Sequence, residues 1–164
     1  MGWVMAIEAT PSAALLRHPY GIFLVGSRSG DEVNLMSGNW GTQCSFEPRL
    51  YSMFIEADSH TRKLIDAGQV FSISLLPADS EEVVSLYTKP AEKVGDKLGE
   101  HNYFAGPETG APILAAAVAW FECRVTESRP VGDHIQYIGE VIGGALERDE
   151  PAWTLQELGW EYGG

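Results

Sequence analysis

A polar stretch interrupts the apolar strands predicted in the first half of the sequence. Between Asn34 and Pro48 the sequence is NLMSGNWGTQCSFEP, with one large aromatic residue, Trp40. Strand interiors usually favour β-branched and aromatic side chains, and a glycine inside a strand often marks the close approach of a ligand or another backbone. The stretch is therefore either an irregular loop or a binding surface.

A flat ring system is the kind of ligand that this composition suits. Small residues let a ring approach the backbone, amides and hydroxyls meet its polar edge, and an aromatic side chain covers one face. The residues of these types are Ser37, Gly38, Asn39, Trp40, Thr42, Gln43, Cys44 and Ser45. The alternatives are an ordinary loop rich in Gly, Ser and Asn, and a tryptophan that belongs to the core.

A second candidate site lies at the start of the helix predicted over residues 59–67. Arg62 and Lys63 fall in its first turn and Asp66 in its last, the reverse of what the helix dipole favours. A phosphate held by the free N–H groups, the hydroxyls of Ser59 and Thr61 and the basic side chains would compensate. The alternative is that both cations point into solvent.

Two further residues have side chains able to do chemistry. His134, beside a predicted turn, is either a proton donor or orienting group, or an ordinary surface or capping histidine. Cys44 is either reactive or, as its residue type favours, a small buried thiol. The sequence contains no phosphate loop, HExxH, nucleophile elbow or GxGxxG pattern. Redox chemistry would therefore have to be carried by a bound cofactor.

Length and composition limit the class of protein. A chain of 164 residues that is 45% hydrophobic suits one domain over residues 1–164. The formal net charge of -12 argues against nucleic acid or an anionic membrane surface as partners. The two cysteines form no CxxC pair, so neither a zinc site nor a disulfide framework is predicted. With no targeting segment and no spanning run of roughly 20 apolar residues, a reduced cytoplasmic protein is expected.

The elements that would position these residues are mostly strands. Strands are predicted at 20–27, 33–40, 50–57, 70–76, 117–127 and 134–147, and short helices at 10–18, 58–68 and 78–88. Thr10, Asp58 or Ser59, and Asp79 are the predicted helix caps, with Glu82 completing a capping box after Asp79. Residues 89–112 have no clear pattern and are expected to form a mobile surface excursion. About six strands with few helices predict a mainly β fold, an antiparallel barrel or sandwich with short helices.

The order of these segments resembles the flavin reductase-like family, whose fold is the FMN-binding split barrel. The resemblance extends from about Tyr20 to Gly144. The corresponding segments are YGIFLVGS, the small-residue strand leading into CSFEP, TRKLIDAGQVFSISLL, GAPIL at Gly110 to Leu114, AVAWFECRV and GDHIQYIGEV. It implies a Greek-key antiparallel barrel that forms a homodimer, with FMN near the subunit interface.

The resemblance also implies roles for particular residues. The FMN phosphate and ring edge would be held by the eight residues named above between Ser37 and Ser45. Thr61 and its basic neighbours correspond to the phosphate side, and His134 lies where flavin and nicotinamide meet. The chain departs from the family at Glu47-Pro48, where two prolines are common, and at 37–39, where Thr-x-Ser is common. The contacts to FMN are expected to differ there.

The function implied is an NAD(P)H-dependent flavin reductase that passes electrons to free flavin, ferric iron or a partner oxygenase. Hydride would pass from nicotinamide to flavin by direct stacking, so positioning would be the main task of the protein. One alternative is a flavin-binding electron carrier or storage module without turnover. Another is a split barrel that has lost its cofactor and serves as a dimeric binding protein.

Overall fold

The computed structural model describes residues 10–95 and 97–163, with four short helices. They are α1 Pro11–Leu15, α2 His60–Gly68, α3 Glu81–Leu86 and α4 Leu155–Leu158. Thr10 and Ser59 cap α1 and α2 as predicted, each accepting a hydrogen bond from a backbone N–H three residues ahead. Among the described helices, none has the length and apolarity required to cross a membrane.

Eleven strands make up the rest of the regular structure in the described ranges. They are β1 Phe23–Ser29, β2 Glu32–Gly38, β3 Gly41–Ser45, β4 Leu50–Glu56, β5 Val70–Leu75, β6 Lys93–Val94, β7 Lys97–Leu98, β8 His101–Ala105, β9 Pro112–Leu114, β10 Ala119–Val131 and β11 His134–Leu146. Seven of them form one antiparallel sheet in the order β2-β1-β5-β10-β11-β4-β3. The mainly β, antiparallel architecture predicted from the sequence is confirmed.

The connection between β2 and β3 shows that this sheet curls into a barrel. The two strands lie at opposite edges of the sheet order, yet only Asn39 and Trp40 join them. The outer strands of a flat seven-stranded sheet would lie about 29 Å apart, whereas a connection this short reaches about 10 Å at most. The two edges therefore meet at residues 39–40, where the Trp40 carbonyl accepts a hydrogen bond from Phe54 N at 3.0 Å. We call this place the seam.

Alternating residues of β1 supply two separate cores. Phe23 and Val25 belong to a cluster built from barrel strands and α2, whereas Leu24, with Ile22 just before the strand, packs with residues of α3, α4 and the smaller sheet. Both faces of β1 are therefore covered, which explains its nearly continuous apolar sequence.

The hairpin of β10 and β11 is longer than the sequence indicated. The turn was predicted over 128–133, but β10 continues through Pro130 to Val131 and leaves only Gly132 and Asp133 between the strands. Gly132 has a φ of 60°, the left-handed conformation that a two-residue turn requires. Proline is tolerated here because it lies at the end of the ladder.

The prediction of an irregular excursion over residues 89–112 is wrong for the part that the structure describes, whereas the predicted mobility stays a prediction. β6, β7, β8 and β9 form a second, four-stranded sheet that buries Leu98 completely. The Tyr87 hydroxyl donates to Leu98 O at 2.6 Å, and the buried Glu122 carboxylate accepts from the backbone N–H groups of Glu108 and Thr109. Contacts with distant residues order a segment whose local sequence favours no structure.

The predicted cap of α3 is also wrong. Asp79 has a φ of 61°, whereas an N-cap residue is normally extended. The helix begins one residue later, after Ser80, whose hydroxyl donates to Pro77 O rather than capping the helix. Asp79 and Glu82 therefore form no capping box.

Candidate functional site

A cavity of about 210 Å³ adjoins the seam. Its walls come from β2, β4, α3, the start of β11 and the residues after α4. The residues that line it are Ile22, Met36, Ser37, Gly38, Asn39, Trp40, Phe54, Ile55, Glu56, Val84, Thr88, His134, Leu155, Trp160 and Tyr162. Four residues of the predicted polar stretch and the predicted catalytic histidine thus share one cavity.

Two buried hydrogen-bond donors at the seam lack partners. Asn39 is only 8% exposed, and within residues 10–95 and 97–163 its Nδ2 has no acceptor. Nε1 of Trp40 is buried in the same way and likewise unpaired within those ranges. An unsatisfied buried donor costs stability, so such groups call for an explanation. Both residues line the cavity, but the two donor atoms are closed off from it, so a ligand with acceptor atoms would reach them only after neighbouring side chains move.

His134 lies beside Trp40 at the start of β11. The two ring centroids are 4.7 Å apart, and His134 is 8% exposed. His134 Nδ1 is 2.6 Å from Oδ1 of Asp133, and this hydrogen bond lowers the pKa of Asp133. Because a carboxylate only accepts, Nδ1 carries a proton and the orientation of the imidazole is fixed.

A second cavity, of about 450 Å³, also adjoins the seam. Asn39, Trp40, Phe54 and His134 line both cavities, while Thr42 lines only this larger one. The predicted residues farther along β3 lie outside both: Gln43 and Cys44 are exposed and Ser45 is partly exposed.

The expectation of a buried thiol at position 44 is wrong. Cys44 is free and exposed, because β3 is an edge strand of the barrel sheet. Cys123 is the buried cysteine of the chain. Burial, and secondly the charge of Glu122, raises the pKa of the Cys123 thiol to about 12.

The residues at the start of α2 bond mainly within the protein. The Ser59 hydroxyl accepts from Arg62 N at 3.1 Å, and the buried Thr61 hydroxyl accepts from Asn34 Nδ2 at 3.0 Å. Arg62 Nε is 2.7 Å from Oδ2 of Asp66, and Lys63 is exposed. None of these four predicted residues lines either cavity. The ion pair with Asp66 offsets the unfavourable position of the Arg62 charge in the first turn of the helix. The sequence analysis had considered a bound phosphate or exposure to solvent, but not this ion pair.

The glycines of the polar stretch have a structural explanation. A Cβ at Gly41 would lie 2.2 Å from the Tyr51 hydroxyl oxygen, and one at Gly38 would lie 3.1 Å from a ring carbon of Phe23. The backbone therefore passes close to the protein's own aromatic side chains. These two glycines fit the packing of the barrel interior, which the sequence interpretation had not considered.

Sequence reasoning missed the walls that come from distant segments. Trp160 and Tyr162 line the cavity, and the Tyr162 ring meets Trp40 edge-on with centroids 5.6 Å apart. Glu56 lines it as well and lies opposite His134 in the antiparallel pairing of β4 with β11. The only signal in the sequence was the pair of aromatic residues in WEY at 160–162. It indicates that the segment is buried but does not show which surface it packs against.

Comparison with known proteins decides the family. The model of the flavin reductase like domain matches residues 15–158, nearly the whole chain. The chain belongs to the flavin reductase-like family. The resemblance inferred from the order of the sequence segments is confirmed.

Individual relatives of this flavin reductase-like chain agree. The NADH-dependent FAD reductase of Streptomyces globisporus is 30% identical over 132 residues, which cover 77% of this chain and 72% of the relative. An FMN-binding protein from Thermus thermophilus is 27% identical, with a TM-score of 0.71 over 90% of this chain and 81% of that one. BorF, the flavin reductase component of a bacterial two-component tryptophan halogenase, is 25% identical, with a TM-score of 0.75 over 89% and 91% of the two chains.

The residues at the seam suit a flavin. The polar edge of an isoalloxazine ring presents carbonyl oxygens and ring nitrogens that accept hydrogen bonds, and Asn39 Nδ2 and Trp40 Nε1 are buried donors without acceptors in the described ranges. Apolar side chains such as Ile22 and Ile55 line the same cavity and suit the faces of a ring. The donor set and the apolar walls together fit this cofactor class.

Proposed function

We propose that the protein is an NAD(P)H-dependent flavin reductase with FMN as its flavin. The observation that carries the proposal is the pair of unsatisfied buried donors, Asn39 Nδ2 and Trp40 Nε1, at the cavity of a flavin reductase-like chain. The names of the FAD reductase of Streptomyces globisporus and of BorF support the activity. FMN rather than FAD is supported by the FMN-binding protein from Thermus thermophilus.

The bound flavin would supply the hydride chemistry, and the residues of the chain would bind and orient the reactants. Asn39 and Trp40 donate to the ring edge, while Ser37 and Gly38 line the same wall. His134, whose ring is fixed through Nδ1 by Asp133, is the residue proposed to meet the nicotinamide. Thr42, Gln43, Cys44 and Ser45 would follow the cofactor along β3.

The phosphate is proposed to bind near the start of α2. Ser59 and Thr61 contribute hydroxyls there, and Lys63 contributes an exposed cation next to Arg62. Arg62 would contact the phosphate while retaining its ion pair with Asp66, since a guanidinium has five N–H donors.

A homodimer in the cytoplasm completes the proposal. Phe46 is 87% exposed at the end of edge strand β3, and an apolar side chain of this size favours contact with another surface. A partner oxygenase as electron acceptor is supported by the role named for BorF in a two-component halogenase. The two free cysteines fit a reducing compartment.

The deciding experiment is anaerobic mixing of the FMN-loaded protein with NADH or NADPH. We expect the flavin absorbance near 450 nm to bleach within seconds with at least one nucleotide, and the protein to be yellow or to take up added FMN beforehand. If FMN binds but stays oxidised with both nucleotides, the electron-carrier alternative replaces the reductase. Failure to bind any flavin would contradict both.

A further inference from the structure

Residues 160–163, which we call the aromatic segment, contribute Trp160 and Tyr162 to the wall of the cavity, and this part of the wall is attached differently from the others. Helix α4 before it is firmly attached: Leu155 is buried, Leu155 N donates to Tyr20 O at 3.0 Å, and Gln156 Nε2 donates to His18 O at 2.8 Å. Gly159 then ends the helix with a φ of 78°. Residues 160–163, which follow, have no regular secondary structure.

Few contacts hold the aromatic segment over the seam. The Tyr162 hydroxyl donates to Glu56 Oε1 at 2.6 Å, and its ring packs edge-on against Trp40. The ion pair between Arg17 and Glu161 is long, at 3.9 Å, and exposed. Exposed pairs of this kind contribute little. The opposite walls, by contrast, are strands of a seven-stranded sheet.

The aromatic segment covers the cavity without satisfying its polar groups. Tyr162 lies against Trp40 and has its own acceptor in Glu56, whereas Trp40 Nε1 and Asn39 Nδ2 have none in the described ranges. Buried donors in a protein normally have hydrogen-bond acceptors, and the aromatic segment supplies none to these two. A ligand that brings acceptor atoms could therefore replace the segment at this site.

The size of the cavity leads to the same conclusion. At about 210 Å³ it is smaller than the roughly 300–1,000 Å³ typical of sites for drug-sized ligands. Tyr162 also lines a neighbouring cavity of about 830 Å³, which shares Trp40, Glu56 and His134 with the first. Displacement of Tyr162 would join the two cavities and give a flavin ring more room, and a segment without regular secondary structure yields more easily than a strand of the sheet.

We propose that the aromatic segment competes with the flavin ring for the seam, so that flavin must displace Tyr162 and is held as an exchangeable substrate. The proposal rests on the proposed function and adds a residue that determines flavin affinity. Displacement breaks the Tyr162–Glu56 hydrogen bond and the contact between the Tyr162 and Trp40 rings. In exchange, the flavin ring accepts hydrogen bonds from Asn39 and Trp40.

The dissociation constant of FMN, measured by quenching of flavin fluorescence, tests the proposal. Tyr162→Ala should tighten FMN binding about tenfold, equal to about 1.4 kcal/mol, and Tyr162→Phe, which keeps the ring but loses the hydrogen bond, should tighten it less. Phe104→Ala is the matched control, because Phe104 is 37% exposed against 42% for Tyr162 and lines neither cavity. It should leave the constant unchanged.

Chymotrypsin gives a second, activity-independent measurement on the wild-type chain. Added FMN should speed cleavage after Trp160 and Tyr162 by several-fold, because the displaced segment becomes accessible. Protection by FMN, or FMN binding that is unchanged or weaker in Tyr162→Ala, would overturn the competition while leaving the flavin reductase assignment intact. If neither wild type nor variants bind FMN, both proposals fail together.

Discussion

At the scale of single residues, two buried asparagines close in sequence have opposite roles. Asn34, in β2, is 4% exposed and donates to the Thr61 hydroxyl at 3.0 Å, which ties β2 to α2. Asn39, at the seam, is 8% exposed and its amide nitrogen has no acceptor in the described ranges. The first has a structural role within the fold, whereas the second is available to a ligand.

Substitution of Asn39 should separate binding from folding. We expect Asn39→Ala to weaken FMN binding by about 1–2 kcal/mol, since one hydrogen bond to the ring is lost, and to leave the free energy of unfolding of the apoprotein nearly unchanged or slightly higher. Flavin titration and urea denaturation measure the two quantities. Asn34→Ala is the control and should lower the free energy of unfolding, because the Thr61 hydroxyl loses its donor. A large loss of apoprotein stability in Asn39→Ala would contradict the assignment of Asn39 to the ligand.

At the scale of elements, α2 supports the barrel as well as a proposed phosphate site. Asp66 binds Arg62 on one side and accepts from the buried Tyr137 hydroxyl on the other. Burial, reinforced by this hydrogen bond, raises the pKa of Tyr137, so the phenol stays protonated at neutral pH. The basic residues of the first turn are thus placed by contacts between the helix and β11.

Removal of both cations should reveal whether α2 holds the phosphate. The double variant Arg62→Ala, Lys63→Ala should weaken FMN binding by more than about 1.5 kcal/mol, the low end for a charged hydrogen bond. Riboflavin, which lacks the phosphate, should bind both proteins equally, so its titration is the control for damage to the ring site. An FMN dissociation constant equal to that of wild type would remove the phosphate from α2.

At the scale of the whole molecule, β3 is an edge strand of the barrel sheet, and one of its sides has no hydrogen-bonded neighbouring strand in the described chain. Edge strands of this kind pair with other chains unless something covers them. Phe46 lies beside this edge and is more exposed than any other large apolar residue among those described. The proposed homodimer would cover both.

Light scattering on the purified protein tests the dimer. We expect a mass about twice the 17.9 kDa of the chain, and a shift toward the monomer for Phe46→Asp, because a charge buried in an interface is costly. Val94→Asp is the matched control: Val94 is 63% exposed on a strand of only two residues in the smaller sheet. A monomeric wild type, or a dimer untouched by Phe46→Asp, would rule out this interface.

Local chemistry predicted the elements well where it acts over a few residues. Ser59 caps α2, and the strands predicted at 33–40 and 70–76 correspond to β2 and β5. It failed at Asp79, whose backbone conformation excludes it as a cap. It also failed over 89–112, where the hydroxyls of Tyr87 and Ser72 donate to Leu98 O in β7 and to Pro112 O in β9. It also placed Cys44 in the interior, since a sequence pattern does not tell which strand becomes the edge of a sheet.

By itself the sequence determined a mainly β fold, an antiparallel barrel or sandwich, because strand periodicity and turn residues are properties of neighbours along the chain. The order of its segments added the resemblance to the flavin reductase-like family, which implies the barrel. Only the tertiary structure decided that Asn39 and Trp40 lie at the seam, that His134 packs against Trp40, and that Tyr162 covers them both. The two ring contacts of Trp40 join residues 94 and 122 positions apart. They exist because two residues must bridge the outer strands of a seven-stranded sheet, a requirement that follows from the strand order and not from any local pattern.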